Sequence, residues 1–314
     1  MSLSPITEHK SPRHALAQAD SGWRLTLRRV SILFKSRVVS LLVLAAVGGL
    51  FLGARGWPGV GPLALIVVAG GLAASGAAGL NEYIERGADA LMGRTRRRPL
   101  VSGQVQARWV LWVGIAMVLV PVLATLPFNP ALSFWLAAGA IIYVGIYTVW
   151  LKPRTLLNIV IGGAAGSAAV MSGGAAGGAW RDPAVIALAL LVFLWTPSHF
   201  WSLAILYRED YAKARFPMLP VKTTTRRSAY WVLLHTGAAG LVALLMALFP
   251  QLGWVYVVPV GLATADMLVR NVRLLSQPTP RHARALFISS NLYLMVVLLA
   301  VCLGTLVRSQ WPGL

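Results

Sequence analysis

The sequence predicts an all-α integral membrane protein with nine transmembrane helices. Three observations carry that prediction. The 314 residues are 57% hydrophobic and only 12% charged, where a soluble domain carries about a quarter charged residues. Nine apolar stretches follow one another, each near the roughly 20 residues that a bilayer-crossing helix needs. The basic residues then fall almost entirely on one of the two sides that nine crossings would create.

Residues 1–37 are polar and basic, with no long apolar run. They read as a cytoplasmic tail, disordered at its start and amphipathic from Trp23 to Phe34. Apolar segments occupy 38–54, 60–80, 107–126, 131–150, 156–178, 184–206, 229–249, 252–269 and 285–306. Residues 38–314 thus form one membrane domain with no soluble appendage large enough to fold alone. Of the 28 Lys and Arg residues, 25 fall in the tail and the even-numbered loops, and only Arg55, Arg181 and Arg308 fall on the other side. The positive-inside rule then puts the N-terminus inside and the C-terminus outside. An error of one helix would scramble that alternation.

The formal net charge of +19 does not imply nucleic acid, because the charge lies in short loops between apolar segments. Such charge sets topology and meets anionic headgroups of the lipid bilayer. The single cysteine, Cys302, sits in an apolar run and excludes a disulfide framework. No cleavable signal is evident, and the tail carries acids, which favours a multi-pass protein of the cell membrane, a bacterial inner membrane rather than a mitochondrial one.

Only nine residues are acidic, and five fall in two clusters on the inner side. Grouped carboxylates beside a bilayer call for an explanation. In the first, Asn81, Glu85 and Asp89 are spaced i, i+4, i+8. If the preceding helix continues through them, three oxygen ligands share one face. Mg²⁺ commonly takes one or two carboxylates plus substrate phosphates. The run Arg94-Thr95-Arg96-Arg97-Arg98 follows at once, and guanidinium groups bind phosphate oxygens in pairs. The second cluster, Glu209 and Asp210, ends the sixth apolar segment and is followed by Lys213 and Arg215. Two such loops could clamp one diphosphate, with metal and arginine stabilising the charge of a leaving group.

These segments resemble a known family. NEYIERGADALMGRTRRRPLVSG is similar to the first motif of the heme O synthases (protoheme IX farnesyltransferases), a branch of the UbiA-type intramembrane prenyltransferases. YTVWLKPRTLLNIVIGGAAGS resembles their central signature, FLWTPSHFWSLAILYREDYAKARFPMLPV their second acidic motif, ARALFISSNLYL their last-helix signature, and KSRVVSLLVL the start of their first helix. The resemblance spans residues 35–301 and implies nine helices around a central cavity. It implies farnesyl diphosphate as donor, heme b as acceptor, Mg²⁺ as cofactor, and heme O for terminal oxidases as product. Heme A synthase or oxidase assembly factors follow from it as delivery partners. Position by position, Asn81, Glu85 and Asp89 resemble the first metal-diphosphate motif, with Glu209 and Asp210 as its metal-binding counterpart. Arg94, Arg98, Lys152, Arg154, Arg208, Lys213 and Tyr211 resemble the diphosphate-binding set, and His199 resembles a residue on the acceptor side. Gly87 departs from the pattern, standing where members often carry an acid.

Some features have plainer readings. The Gly162-Gly163-Ala164-Ala165-Gly166 run and Gly173, Gly174, Gly177 and Gly178 suit close helix approach. Asp266 suits an i, i+4 pair with Arg270. A prenyltransferase with another acceptor, such as a quinone precursor, is the nearest rival, and the His-Phe-Trp and Pro-Met-Leu-Pro segments argue against it. A transporter would more often carry paired charges or broken helices at the midplane.

Overall fold

The computed structural model describes residues 12–311. Among them, nine helices are long and apolar enough to cross a membrane. A leading helix, α1 (Pro12–Leu33), precedes them. It begins well before Trp23, so residues 12–22 of the tail, expected to be disordered, are helical, and residues 1–11 lie outside the described residues. The first six spans are α2 (Ser36–Ala54), α3 (Val60–Leu91), α4 (Ala107–Thr125), α5 (Pro130–Leu151), α6 (Asn158–Ala176) and α7 (Pro183–Leu206). Two short helices follow, α8 (Arg208–Lys213) and α9 (Leu219–Lys222). The last spans are α10 (Thr225–Leu248), α11 (Gly253–Ser276) and α12 (Pro280–Gln310).

Capping explains several starts. Asn129 accepts from the Leu132 N–H ahead of Pro130, Asp182 from Ala184 ahead of Pro183, and Thr279 from His282 ahead of Pro280. A short polar side chain satisfies a free N–H, and proline at the first helical position loses no bond. Each span packs on the next, and α12 closes against α2, so the nine form a ring. The ring is pinched where α2 meets α6. A Cβ on Gly173 would overlap the Ala46 carbonyl oxygen, and one on Gly49 would overlap that of Val170. Close backbone approach is thus the use made of these glycines. Asp266 pairs with Arg270 at 2.8 Å and also accepts from Ser289 at 2.6 Å, tying α11 to α12.

Two departures from the predicted boundaries build the site. Helix α3 runs eleven residues past position 80 to Leu91 and carries the first acidic cluster on its own last turns rather than in a loop. The second half of α5, Ile141–Leu151, is wound as a wider π-helix, with Thr148 donating to the Tyr143 carbonyl at 2.7 Å and the Lys152 N–H to that of Tyr147 at 2.8 Å. Long π segments are rare and gather at functional sites. This one packs against α3.

Candidate active site

The continuous helix through Asn81, Glu85 and Asp89 places all three on one buried face, at 1%, 7% and 1% exposure. Buried acids need partners, and the basic residues come from other elements. Lys152, just past α5, donates to Glu85 at 2.5 Å. Arg98, in the loop after α3, donates to Asp89 at 2.6 Å and stands 3.6 Å from Glu82. Lys35, at the α1–α2 junction, donates to the Asn81 side-chain oxygen and lies 3.4 Å from the Tyr143 hydroxyl. The Asn81 amide nitrogen donates to Thr148 at 2.9 Å, which orients the amide.

Lys152 also lies over the rings of Phe216 and Tyr147, 4.8 and 5.5 Å from their centroids. Burial disfavours its charged form, but the field of Glu85 and the nearby Tyr211 outweighs burial and raises its pKa. Burial, with help from Arg98, instead pushes the Lys35 ammonium down to about 8, against the pull of Glu85 and Glu82. The two lysines differ because only Lys152 has a carboxylate in direct contact.

Glu82 is the odd member. Both of its oxygens are buried and receive no hydrogen bond. With only the Arg98 guanidinium 3.6 Å away, a buried carboxylate without hydrogen bonds is costly, and a hard cation among these oxygens would lower that cost. Among the described residues, no three His, Cys, Asp or Glu side chains are grouped tightly enough to hold a metal alone. The bare Glu82 oxygens fit a cation that takes oxygen ligands partly from the protein and partly from substrate phosphates.

The second motif enters differently. Asp210 accepts the backbone N–H groups of Gly93 and Arg94, each at 3.1 Å, and so ties the loop after α3 to the segment after α7. Arg94 lies over the Tyr207 ring, 5.3 Å from its centroid. Tyr211 is buried, near enough to Lys152 to act on its charge. The structure does not bring the rest of the predicted set to the cluster. Arg154 donates to the carbonyls of Val149 and Trp150, both at 2.9 Å, and caps α5. Arg208 donates to the Thr223 carbonyl and lines a surface groove with Lys222 and Arg227. Glu209 and Lys213 are exposed.

His199 belongs to a separate wall. Its ring stacks between Trp195 and Phe287, with centroids 4.4 and 4.8 Å away. Its Nδ1 lies 2.8 Å from the Ser290 hydroxyl. Ser290 donates its own proton to the Phe287 carbonyl at 2.8 Å. In the neutral ring Nδ1 therefore carries the hydrogen, and Nε2 presents its lone pair.

Lys35, Glu82, Tyr143 and Thr148 were missed as site residues in the sequence. For Glu82, the clustering of acids was signal enough. The other three meet only through the fold. Gly87 faces outward, with no atom within 4 Å of a Cβ placed there. The missing family acid therefore points away from the Asn81–Glu85–Asp89 face.

Residues 41–309 match the UbiA prenyltransferase family. A protoheme IX farnesyltransferase of Metallosphaera sedula is 40% identical over 277 residues, 88% of this chain and 95% of that one. Another, of Sulfurisphaera tokodaii, is 38% identical over 279 residues, 88% of this chain and 92% of that one. The structure of a UbiA homologue from Archaeoglobus fulgidus bound to DMAPP and Mg²⁺ superposes with a TM-score of 0.63 at 17% identity, covering 87% of this chain and 99% of that one. With the profile matched across its whole ring of spans and relatives so similar along most of its length, this chain belongs to the UbiA prenyltransferase family.

Proposed function

We propose that this protein transfers a farnesyl group from farnesyl diphosphate to a vinyl group of heme b, giving heme O. The observation that carries the donor half is the buried Asn81–Glu85–Asp89 face ringed by Lys35, Arg98 and Lys152. The acceptor half is supported by the names of the two curated relatives and by the His199 wall, a flat aromatic surface with one basic nitrogen.

Asn81, Glu85 and Asp89 would hold Mg²⁺. When bound there, the ion neutralises charge developing on the departing diphosphate. Arg98 and Lys152 bind the phosphate oxygens from the sides, and Asp210 keeps the Gly93–Arg94 backbone in place beneath them. The allylic C–O bond breaks with its electron pair leaving on the diphosphate, and the vinyl π pair forms the new C–C bond. Water adds its oxygen to the resulting carbocation, and the Nε2 lone pair of His199 takes the released proton. An aromatic wall beside the carbocation would shield it from bulk water, as carbocation chemistry requires.

The basic residues on one side support a tail and a site on the cytoplasmic face of the cell membrane, in the bacterial case the inner membrane. Delivery to heme A synthase or to an oxidase assembly factor would follow at that membrane.

The test is heme extraction and mass analysis of membranes expressing wild type beside Asp89→Ala. A heme heavier than heme b by one hydroxyfarnesyl group, absent in the variant, is the expected result. Folded wild type that makes no new heme when supplied with farnesyl diphosphate and heme b would sink the assignment.

A further inference from the structure

Lys35 sits where a metal ligand should be free. Its backbone is left-handed, φ 49° and ψ 47°, a conformation that side-chain-bearing residues rarely adopt and that gathers at functional sites. The turn is held on both sides, with the Lys35 N–H donating to Ile32 and its carbonyl accepting from Val38 and Val39 at 2.8 and 3.0 Å. That geometry sends the side chain to the Asn81 oxygen. The amide cannot turn away, because its nitrogen is engaged by Thr148. The one Asn81 atom able to ligate a hard cation is therefore in contact with an ammonium.

Lys152 and Arg98 each contact a carboxylate of the cluster, but Lys35 contacts a neutral amide. Three basic residues already offset the three acids Glu82, Glu85 and Asp89. A divalent ion arriving alone would leave the site two positive charges in excess and would meet the Lys35 ammonium at its own ligand. A diphosphate reverses both effects: it restores the charge balance and gives Lys35 a better acceptor than an amide.

We propose that Lys35 is a resident cation that keeps divalent metal out of the empty site, so that metal and diphosphate bind only together. The proposal rests on the reading of Asn81, Glu85 and Asp89 as metal ligands. Its consequence is order: metal does not load ahead of the donor, and the buried acids are not left holding a Lewis acid without substrate.

The experiment is Mn²⁺ titration followed by electron paramagnetic resonance on purified full-length protein, with and without inorganic pyrophosphate, and needs no turnover. Wild type is expected to bind Mn²⁺ weakly alone and about 100-fold more tightly with pyrophosphate, near the upper end of ordinary site coupling. Lys35→Met and Lys35→Gln, both neutral, should bind Mn²⁺ alone at least about tenfold more tightly than wild type and lose most of the coupling. Lys35→Arg should behave as wild type. Each variant is first checked for monodisperse elution, and the two neutral forms guard against one failing to fold. Neutral variants that bind Mn²⁺ alone no better than wild type, while wild type still binds it with pyrophosphate, overturn the role of Lys35. Wild type that binds no Mn²⁺ even with pyrophosphate overturns the metal reading itself, and the proposal with it.

Discussion

Ser290 fixes the tautomer of His199 across the α7–α12 interface, accepting from Nδ1 at 2.8 Å while giving its own proton to Phe287. Trp195 reinforces the joint by donating to the Ser290 carbonyl at 2.9 Å. Loss of the Nε2 base in His199→Ala should lower heme O formation by about 10²- to 10⁴-fold, the range for a positioned acid–base group. Ser290→Ala leaves the ring but frees its tautomer and angle, and a loss of about tenfold is expected, the scale for removing a partner that orients a functional imidazole. Single-turnover heme conversion checks both. Equal losses would mean that His199 serves only as packing.

Glu85 and Lys152 are buried as a pair, at 7% and 9% side-chain exposure. Removing one partner strands the other charge, and such losses run to about 3–5 kcal/mol. Glu85→Gln and Lys152→Met should each lower the thermal midpoint in detergent. The double variant should recover most of that stability, because no charge is left unpaired, and should remain inactive, because both groups belong to the proposed diphosphate site. A double variant as unstable as the worse single one would show that the pair is not coupled.

Asp210 holds two backbone N–H groups of the loop after α3, and both bonds are charge-assisted. Asp210→Ala should accelerate amide exchange at Gly93 and Arg94 and raise KM for farnesyl diphosphate by about tenfold, the equivalent of 1.4 kcal/mol. Asp210→Asn keeps one acceptor oxygen and should fall between. Exchange at these two amides that is unchanged in Asp210→Ala would contradict the bracing role.

The nine spans were legible because a bilayer demands about 20 apolar residues at a time, and nothing else in this chain imitates that. The acidic face was legible because i, i+4, i+8 spacing has one meaning on a helix. The end of α3 was not, since its last turns are polar and depend on Lys152 and Arg98 from elsewhere. The π winding of 141–151 is equally silent in sequence, being a matter of how α5 packs on α3. The family resemblance placed Arg154 and Arg208 with the phosphate binders, but a matching position does not say where a side chain turns, and both turn to nearby carbonyls. The contact of Lys35 with Asn81 joins residues 46 apart and is visible only once the chain is folded.

Two glycines on different helices separate a dispensable gap from a required one. Gly87 is on an exposed face of α3 with no neighbour within 4 Å of a Cβ. Gly87→Ala should therefore stabilise by about 0.5–1 kcal/mol, the usual cost of glycine inside a helix. Gly87→Asp, which restores the common family acid, should leave Mn²⁺ affinity with pyrophosphate within twofold (about 0.4 kcal/mol) of wild type, since the added carboxylate points away from the ligand face. Gly173 is the opposite case, because its Cβ would overlap the Ala46 carbonyl oxygen, and backbone cannot swing aside as a side chain can. Gly173→Ala must part α2 from α6 and should cost about 1–3 kcal/mol, the range for overpacking, despite the better helix propensity of alanine. Thermal midpoints of the two alanine variants should thus move in opposite directions from wild type, and a Gly173→Ala protein as stable as Gly87→Ala would mean that the two helices are not in backbone contact.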